Sequence, residues 1–336
     1  MAVPLRVVDF RECLALARKY ELLAESTGHL AATATADWMF GQTRYYLGEY
    51  TAAAVHLQRT RSSYPIAMRK SDLLRYGADL QVGALCYQAV TLWSLGFPEQ
   101  AVRAGREAVE EARSIEHPVS LCLALAAPSS TLLMRVGDLD AAERCIDELI
   151  DNAGKHSLIP YRAFGLCARG SLMAVRGDNA SGERWLRSGL ECAREVAYYL
   201  FYAFFLGELA AVLGSDNRTD EGLAEVDAAL RYAEESKSLW CMPELLRIKG
   251  ELLAKQDPTH AEAAAEEHFV RSLDLAHRQQ ALAWQLGAAM SLARLWRRQR
   301  RVGEARELLG SVYGRFTEGF ATADLREART LLGQLP

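Results

Sequence analysis

The sequence predicts an all-α superhelix: an α-solenoid of about seven helical hairpins closed by a C-terminal capping helix. The stretch from Leu166 to Gly189 shows the unit. Apolar and small residues recur at helical spacing through Leu166, Gly170, Met173 and Ala174, then through Trp185, Leu186 and Leu190. Between the two runs, Gly177-Asp178-Asn179 carries turn chemistry, glycine ending one helix and Asp or Asn capping the next. Gly170 and Gly182 stand twelve residues apart, one on each helix. A glycine inside a helix costs roughly 1 kcal/mol relative to Ala, so the pair points to close helix contact.

The second observation is that this spacing repeats. Small residues twelve apart recur as Gly41/Ala53, Ala89/Ala101, Ser130/Ala142, Gly170/Gly182, Ala210/Gly222 and Ala293/Ala305; Gly250/Ala265 is the same pair with three extra residues near Asp257-Pro258-Thr259. Successive first members lie 48, 41, 40, 40, 40 and 43 residues apart. A period near 40 with two helices per period is the signature of stacked helical hairpins.

In order, 5–26 reads as a leading helix without a clear partner. The hairpins follow as 31–47 with 50–62, 81–95 with 99–115, and 119 to about 153. They continue as 160–176 with 181–197, 198–213 with 219–236, 240–255 with 261–277, and 282–299 with 303–313. Pro65 and Gly77 interrupt 64–79, which reads as a loop or a displaced short helix. Pro98 suits a first helical position, and Asp138 or Asp140 caps a helix carrying the stripe Leu139, Ala142, Cys145, Ile146, Leu149 and Ile150. Pro128 falls inside a helix and should bend it near Ala124–Ala127. A last amphipathic segment, 322–332, covers the open end of the array. The chain thus reads as one unit over 1–336: leading helix in 1–28, seven hairpins in 29–313, capping segment in 314–336.

Half of the 336 residues are hydrophobic and the formal net charge is −4, so a large core is available and nothing global favours nucleic acid. No run of about 18 uncharged apolar residues occurs, which argues against a membrane span, and Met1–Leu5 shows no signal-peptide pattern. Seven cysteines scattered singly among apolar neighbours read as reduced, buried thiols. These features lead to the expectation of a cytoplasmic protein.

The C-terminal quarter carries a resemblance. GELLAKQDP (Gly250–Pro258), AAMSLARLWRRQRRVGEARELL (Ala288–Leu309) and VYGRFTEGFATADLREARTLL (Val312–Leu332) resemble the C-terminal tetratricopeptide-like region of bacterial signal-transducing ATPase regulators. Those regulators join an ATPase to a winged-helix or adenylate-cyclase domain. The resemblance is specific over about 240–335 and is one of repeat pattern over 79–236. It implies a tetratricopeptide-like solenoid serving as the sensing or partner-binding part, with an upstream ATPase domain as a possible partner. No Gly-x-x-x-x-Gly-Lys-Ser/Thr occurs, since the one Gly-Lys, Gly154-Lys155, precedes His156, so ATP chemistry does not carry over.

No catalytic constellation stands out. The seven histidines show neither HExxH nor zinc spacing, and His260 and His268, eight apart beside Glu267, read as exposed helix residues. Glu110-Glu111 and Glu234-Glu235 read as solvated faces, and no Gly-x-Ser-x-Gly elbow occurs. The expectation is no enzyme activity, no cofactor and no metal. Arg294, Arg297, Arg298, Arg300, Arg301 and Arg306 form a dense basic cluster, either a contact for an acidic partner or cations complementing a helix C-terminus.

The aromatic run Tyr198–Phe205 surrounds a helix on all sides, so some of its rings must line a surface other than the core. In tetratricopeptide-like repeats the first helix of each pair lines the concave face. Positions six and three before each small reference residue, and four after it, then point inward. In hairpins two to five these read Gly83, Cys86, Trp93; Ala124, Ala127, Met134; Phe164, Cys167, Ala174; and Phe204, Gly207. The expected floor is apolar and uneven, with Tyr161, Arg162, Tyr199 and Tyr202 at its edge. The candidate binding residues are Trp93, Met134, Tyr161, Arg162, Phe164, Tyr199, Tyr202 and Phe204. The expected role is recognition of a protein or peptide partner, or a small effector, within a transcriptional or signalling regulator, without direct contact to nucleic acid or membrane. The alternative role is a scaffold or oligomerisation module with no small ligand, and the alternative for the floor is that tight curvature closes it on itself.

Overall fold

The computed structural model describes residues 9–28, 30–256 and 261–335, and among them no strand occurs. Helix α1 (Phe10–Thr27) packs on the first hairpin, α2 (Leu30–Tyr46) with α3 (Tyr50–Ser63). A 3-10 turn (Ile66–Met68) and the short α4 (Arg69–Tyr76) then occupy the interval that Pro65 and Gly77 delimit. Hairpin two is α5 (Leu80–Leu95) with α6 (Pro98–Ser114). Hairpin three pairs a broken helix, α7 (Pro118–Leu125) and α8 (Leu132–Val136), with α9 (Leu139–Lys155). Next come α10 (Ile159–Val175) with α11 (Asn179–Glu195), and α12 (Tyr202–Ser215) with α13 (Thr219–Ser236). The last pairs are α14 (Met242–Gln256) with α15 (Glu262–Arg278) and α16 (Leu282–Arg298) with α17 (Val302–Tyr313), closed by α18 (Ala323–Gly333). The Asp257-Pro258-Thr259 loop and His260 lie outside the described residues, as do His29 and the start of the leading helix.

The ladder of small residues sits where the helices of a hairpin cross. Its alanines, from Ala53 to Ala305, are buried, and so are Gly41, Gly170, Gly182, Gly222 and Gly250. A Cβ added at Gly170 would stand 2.7 Å from the Gly182 carbonyl oxygen and from the Leu186 amide nitrogen, so the α10–α11 backbones touch. The same register governs the turns. Seven residues after the reference residue the chain turns left-handed at Gly48, Gly96, Gly137, Gly177, Asn217 and Arg300, which ends the first helix of the pair. A second series, Glu116, Ser157, Ala197, Lys237 and Gln280, turns left-handed between hairpins at the same period. Asp138 and Asp178 cap the helices that follow them, accepting from Ala141 N at 3.2 Å and from Ser181 N at 3.0 Å.

Two local expectations need correction. Pro128 does not simply kink its helix: Ala126–Thr131 forms a π-helical turn. The wider turn accommodates the missing N–H, while Ser129 and Ser130 hydroxyls donate to the carbonyls of Ala124 and Ala126. The opened backbone presses the Pro128 carbonyl towards Gly105, where a Cβ would stand 2.6 Å from it. Further on, the helix expected from Tyr198 starts at Tyr202, because Ala197 is left-handed and 198–201 form the turn between hairpins. By length and composition Pro118–Val136 could cross a membrane; in this fold most of it is buried in hairpin three.

Curvature brings the two ends of the array together. The backbone N–H groups of Leu239 and Trp240 both donate to the Tyr46 carbonyl at the end of α2, at 2.7 and 3.1 Å, and the Tyr50 hydroxyl donates to the Trp240 carbonyl at 2.7 Å. Gly96 lies against Leu282 and Gly137 against Ala323, so α16 reaches α5 and α18 reaches α8. Near the C-terminus Glu318 accepts from the backbone N–H groups of Glu99 and Gln100 at 2.9 and 3.0 Å. In return Glu99 accepts from Gly319 N at 3.0 Å. Helix α6 has no side-chain cap of its own, and the far end of the chain supplies one.

Candidate functional site

Because the superhelix closes, its concave face encloses space. Much of that space is filled by rings: Tyr45, Tyr46, Tyr87, Phe201 and Trp240 stack or meet edge-to-face with centroids 5.4–6.2 Å apart. Beside this plug remains a cavity of about 400 Å³. Its walls come from the first helix of each hairpin from two to seven, α5, α8, α10, α12, α14 and α16, together with the π turn and the capping α18. The projection of first helices onto the concave side therefore describes the wall.

One side of the cavity is aromatic. Trp93 on α5 meets Trp284 on α16 edge-to-face at 4.7 Å, and Phe204, Met134, Leu286 and Met290 continue the surface. The other side is charged. Arg247 on α14 grips Glu244 through Nε and Nη2 at 2.7 and 2.8 Å, bonds Glu251 through Nη1, and reaches Ser291 on α16 at 3.3 Å. Arg135 on α8 donates to Glu208 on α12 at 3.1 Å and to Glu244 at 3.4 Å. Its guanidinium also lies over the Phe204 and Trp284 rings, 5.6 and 5.4 Å from their centroids. Arg294 pairs with Glu327 of the capping helix. Glu244 is buried, which raises a carboxyl, yet Arg247 and Arg135 outweigh burial and hold it at about 2 against an ordinary value of 4.5. A buried carboxylate bonded by two guanidiniums from different hairpins ties α8 to α14.

The expected apolar floor is thus corrected: Arg135, Arg247 and Arg294, with Glu208, Glu244, Glu251, Asp324 and Glu327, line the cavity. Of the eight candidate binding residues, Trp93, Met134 and Phe204 stand in its wall. Trp93 and Met134 are half-buried and Phe204 is buried. The other five lie elsewhere. Phe164 and Tyr202 border a crevice of about 10 Å³ between α10, α11 and α12. Tyr199 and Tyr202 meet edge-to-face at 5.4 Å and both touch Tyr232 of α13. Tyr161 is half-buried, its phenol pushed up by burial, and Arg162 is exposed on α10. The wall is centred on hairpins five to seven, not three to five.

The charged residues were within reach of the same register. Six and three places before Gly250 stand Glu244 and Arg247; six and three before Ala293 stand Gly287 and Met290. All four line the cavity, whereas in hairpins two to five the projected positions reach it only at Trp93, Met134 and Phe204, and Gly83 lies against Trp38 instead. A position immediately after the reference residue, occupied by Thr131, Ser171, Glu251 and Arg294, also faces inward. The basic cluster is dispersed: Arg294 and Arg301 have carboxylate partners and Arg297 bonds Gln334, while Arg298, Arg300 and Arg306 are exposed without an ion pair to a described residue. Arg301 binds Glu266 and Glu304 and lies over Trp296 at 4.5 Å, while Arg297 and Arg298 complete the last turn of α16.

With the geometry in place, comparison with solved structures shows what the fold is similar to. A Rap protein complexed with competence and sporulation factor matches with TM-score 0.63 at 12% identity, over 97% of this chain and 87% of that one. Aspartyl phosphate phosphatase F from Bacillus subtilis matches with TM-score 0.54 at 12% identity, over 87% and 73%. The fold is a tetratricopeptide-like solenoid. A signal-transduction ATPase with a tetratricopeptide repeat sensor from Pyrococcus horikoshii overlays at TM-score 0.48 and 11% identity, over 96% of this chain and 49% of that one; so loose a match carries no argument about family. No protein-family model matches the sequence, and no curated protein matches it.

Proposed function

We propose that this chain is a non-catalytic recognition domain that binds a partner segment or small effector in the cavity on its concave face. The setting proposed is a bacterial transcriptional or signalling regulator, where an upstream ATPase domain is the partner that reads the outcome. One observation carries the reading: a cavity of about 400 Å³ is walled by first helices from six successive hairpins, so an occupant touches nearly the whole array at once. Occupation then biases the relative orientation of the hairpins, the mode by which a repeat array passes a signal. The Rap protein of similar fold, solved in complex with competence and sporulation factor, supports the reading at the level of architecture.

Gly287 offers a clean test. It lies in α16 at the cavity wall, and a Cβ there meets the Arg247 side chain at 3.5 Å and the Glu244 carboxylate at 4.0 Å, both ordinary contacts. Gly287→Phe therefore adds a ring at the cavity wall from a Cβ that meets side chains and no backbone atom. Ligands from a thermal-shift screen of metabolites and short peptides should raise the melting temperature of the wild type and leave Gly287→Phe unmoved. Hits that stabilise both proteins equally would refute the site. The scaffold alternative has one observation of its own, the exposed Leu16, Leu22 and Leu23 on α1. It predicts self-association that Leu22→Glu abolishes.

A further inference from the structure

Charge balance in the cavity narrows the chemistry of its occupant. Three guanidiniums face five carboxylates across the lining, so the walls alone carry a formal charge of −2. Each arginine is already committed. Arg135 is held by Glu208 and Glu244, Arg247 by Glu244 and Glu251, and Arg294 by Glu327. Acceptor capacity is left over. Glu208, Glu251 and Glu327 each receive their arginine on one carboxylate oxygen, and the second oxygen of each accepts no hydrogen bond from a described residue. Glu208 is the most sheltered of the three and Glu327, at the rim, the most exposed, so the unbalanced field is strongest on the sheltered side. The aromatic side adds a second, independent preference. Arg135 already rests against the faces of Phe204 and Trp284, so a cation is accommodated by these rings in the protein's own packing.

We propose that the cavity takes a ligand presenting an alkylguanidinium or alkylammonium group on an apolar stem, its cation reaching the free carboxylate oxygens of Glu208 and Glu327 and its stem lying along Trp93, Trp284 and Met290. This rests on the cavity being the binding site. An anionic ligand would meet arginines already paired with carboxylates in a lining of net negative charge. A cationic one completes carboxylates that are half-used.

The test is calorimetric titration of the intact chain with four probes: agmatine, a capped leucine–arginine–leucine tripeptide, and its citrulline and glutamate counterparts. Agmatine and the arginine tripeptide distinguish a free amine from a side chain of a peptide as the source of the cation. At least one of the two should bind. Glu208→Gln and Glu327→Gln, with folding checked by circular dichroism, should each weaken it by about tenfold, added salt should weaken it further, and Gly287→Phe should abolish it. If the citrulline or glutamate tripeptide binds as tightly and Gly287→Phe still abolishes binding, the site stands and the cationic preference is overturned. Binding that Gly287→Phe leaves intact overturns both. Failure of all four probes to bind the folded protein overturns the preference for this ligand class.

Discussion

Replacing Gly170 by Ala tests the helix contact on which the repeat depends. The added methyl would stand 2.7 Å from the Gly182 carbonyl oxygen and 2.7 Å from the Leu186 backbone nitrogen, about 0.7 Å short of the 3.4 Å at which ordinary contact begins. Leu186 Cγ is equally close, but the other two atoms are backbone, so turning a side chain does not relieve the clash and α11 must move away from α10. Overpacking of this kind costs about 1–3 kcal/mol. Alanine in place of glycine returns roughly 1 kcal/mol in helix propensity. The balance is a loss of about 0–2 kcal/mol. Gly287→Ala supplies the control, because there the new Cβ meets nothing closer than 3.5 Å and only the propensity gain remains, about 1 kcal/mol. Urea unfolding followed by circular dichroism should therefore move the two midpoints in opposite directions. A Gly170→Ala protein stabilised as much as Gly287→Ala would refute the close-contact reasoning.

Three further outcomes follow from the same structure. Glu244→Gln removes a carboxylate whose folded value is depressed to about 2. Its contribution is complete above its ordinary value of 4.5 and is lost as pH falls towards 2. The variant should be less stable near pH 7 and should show a shallower loss of melting temperature across that acid window; a parallel pH profile would count against the buried network. Glu318→Ala uncaps α6 from a distance, so stability should fall by about 0.5–2 kcal/mol, with faster amide exchange at Glu99 and Gln100 and no change within α10–α11. Phe204→Ala should cost about 3–5 kcal/mol, because Phe204 is buried against Phe205 and Trp240, whereas Met134→Ala at the half-buried wall should weaken ligand binding with a smaller loss of stability. A Phe204→Ala protein of wild-type stability would show that the ring is not core.

What the sequence by itself determined is local and periodic. Helix formation, the turn at Gly177, the cap at Asp178 and the crossing of Gly170 with Gly182 are settled by residues fewer than twenty apart, so a period near 40 is enough to lay out every hairpin. Register decides the inward side only in part: of the positions projected in hairpins two to five, Trp93, Met134 and Phe204 line the cavity, while Cys167 packs on Leu186 of its own hairpin. Asn217, Arg300 and the connectors from Glu116 to Gln280 are left-handed without a glycine to announce them, because their conformation follows from the hairpin on either side. Tertiary structure alone decided closure. Glu318 caps a helix 218 residues away and Arg135 meets Glu244 across 109, distances set by the small rotation of each hairpin on the next, accumulated over six steps. No single residue encodes that sum. It turns an expected apolar groove into a half-open cavity lined by five carboxylates and three arginines.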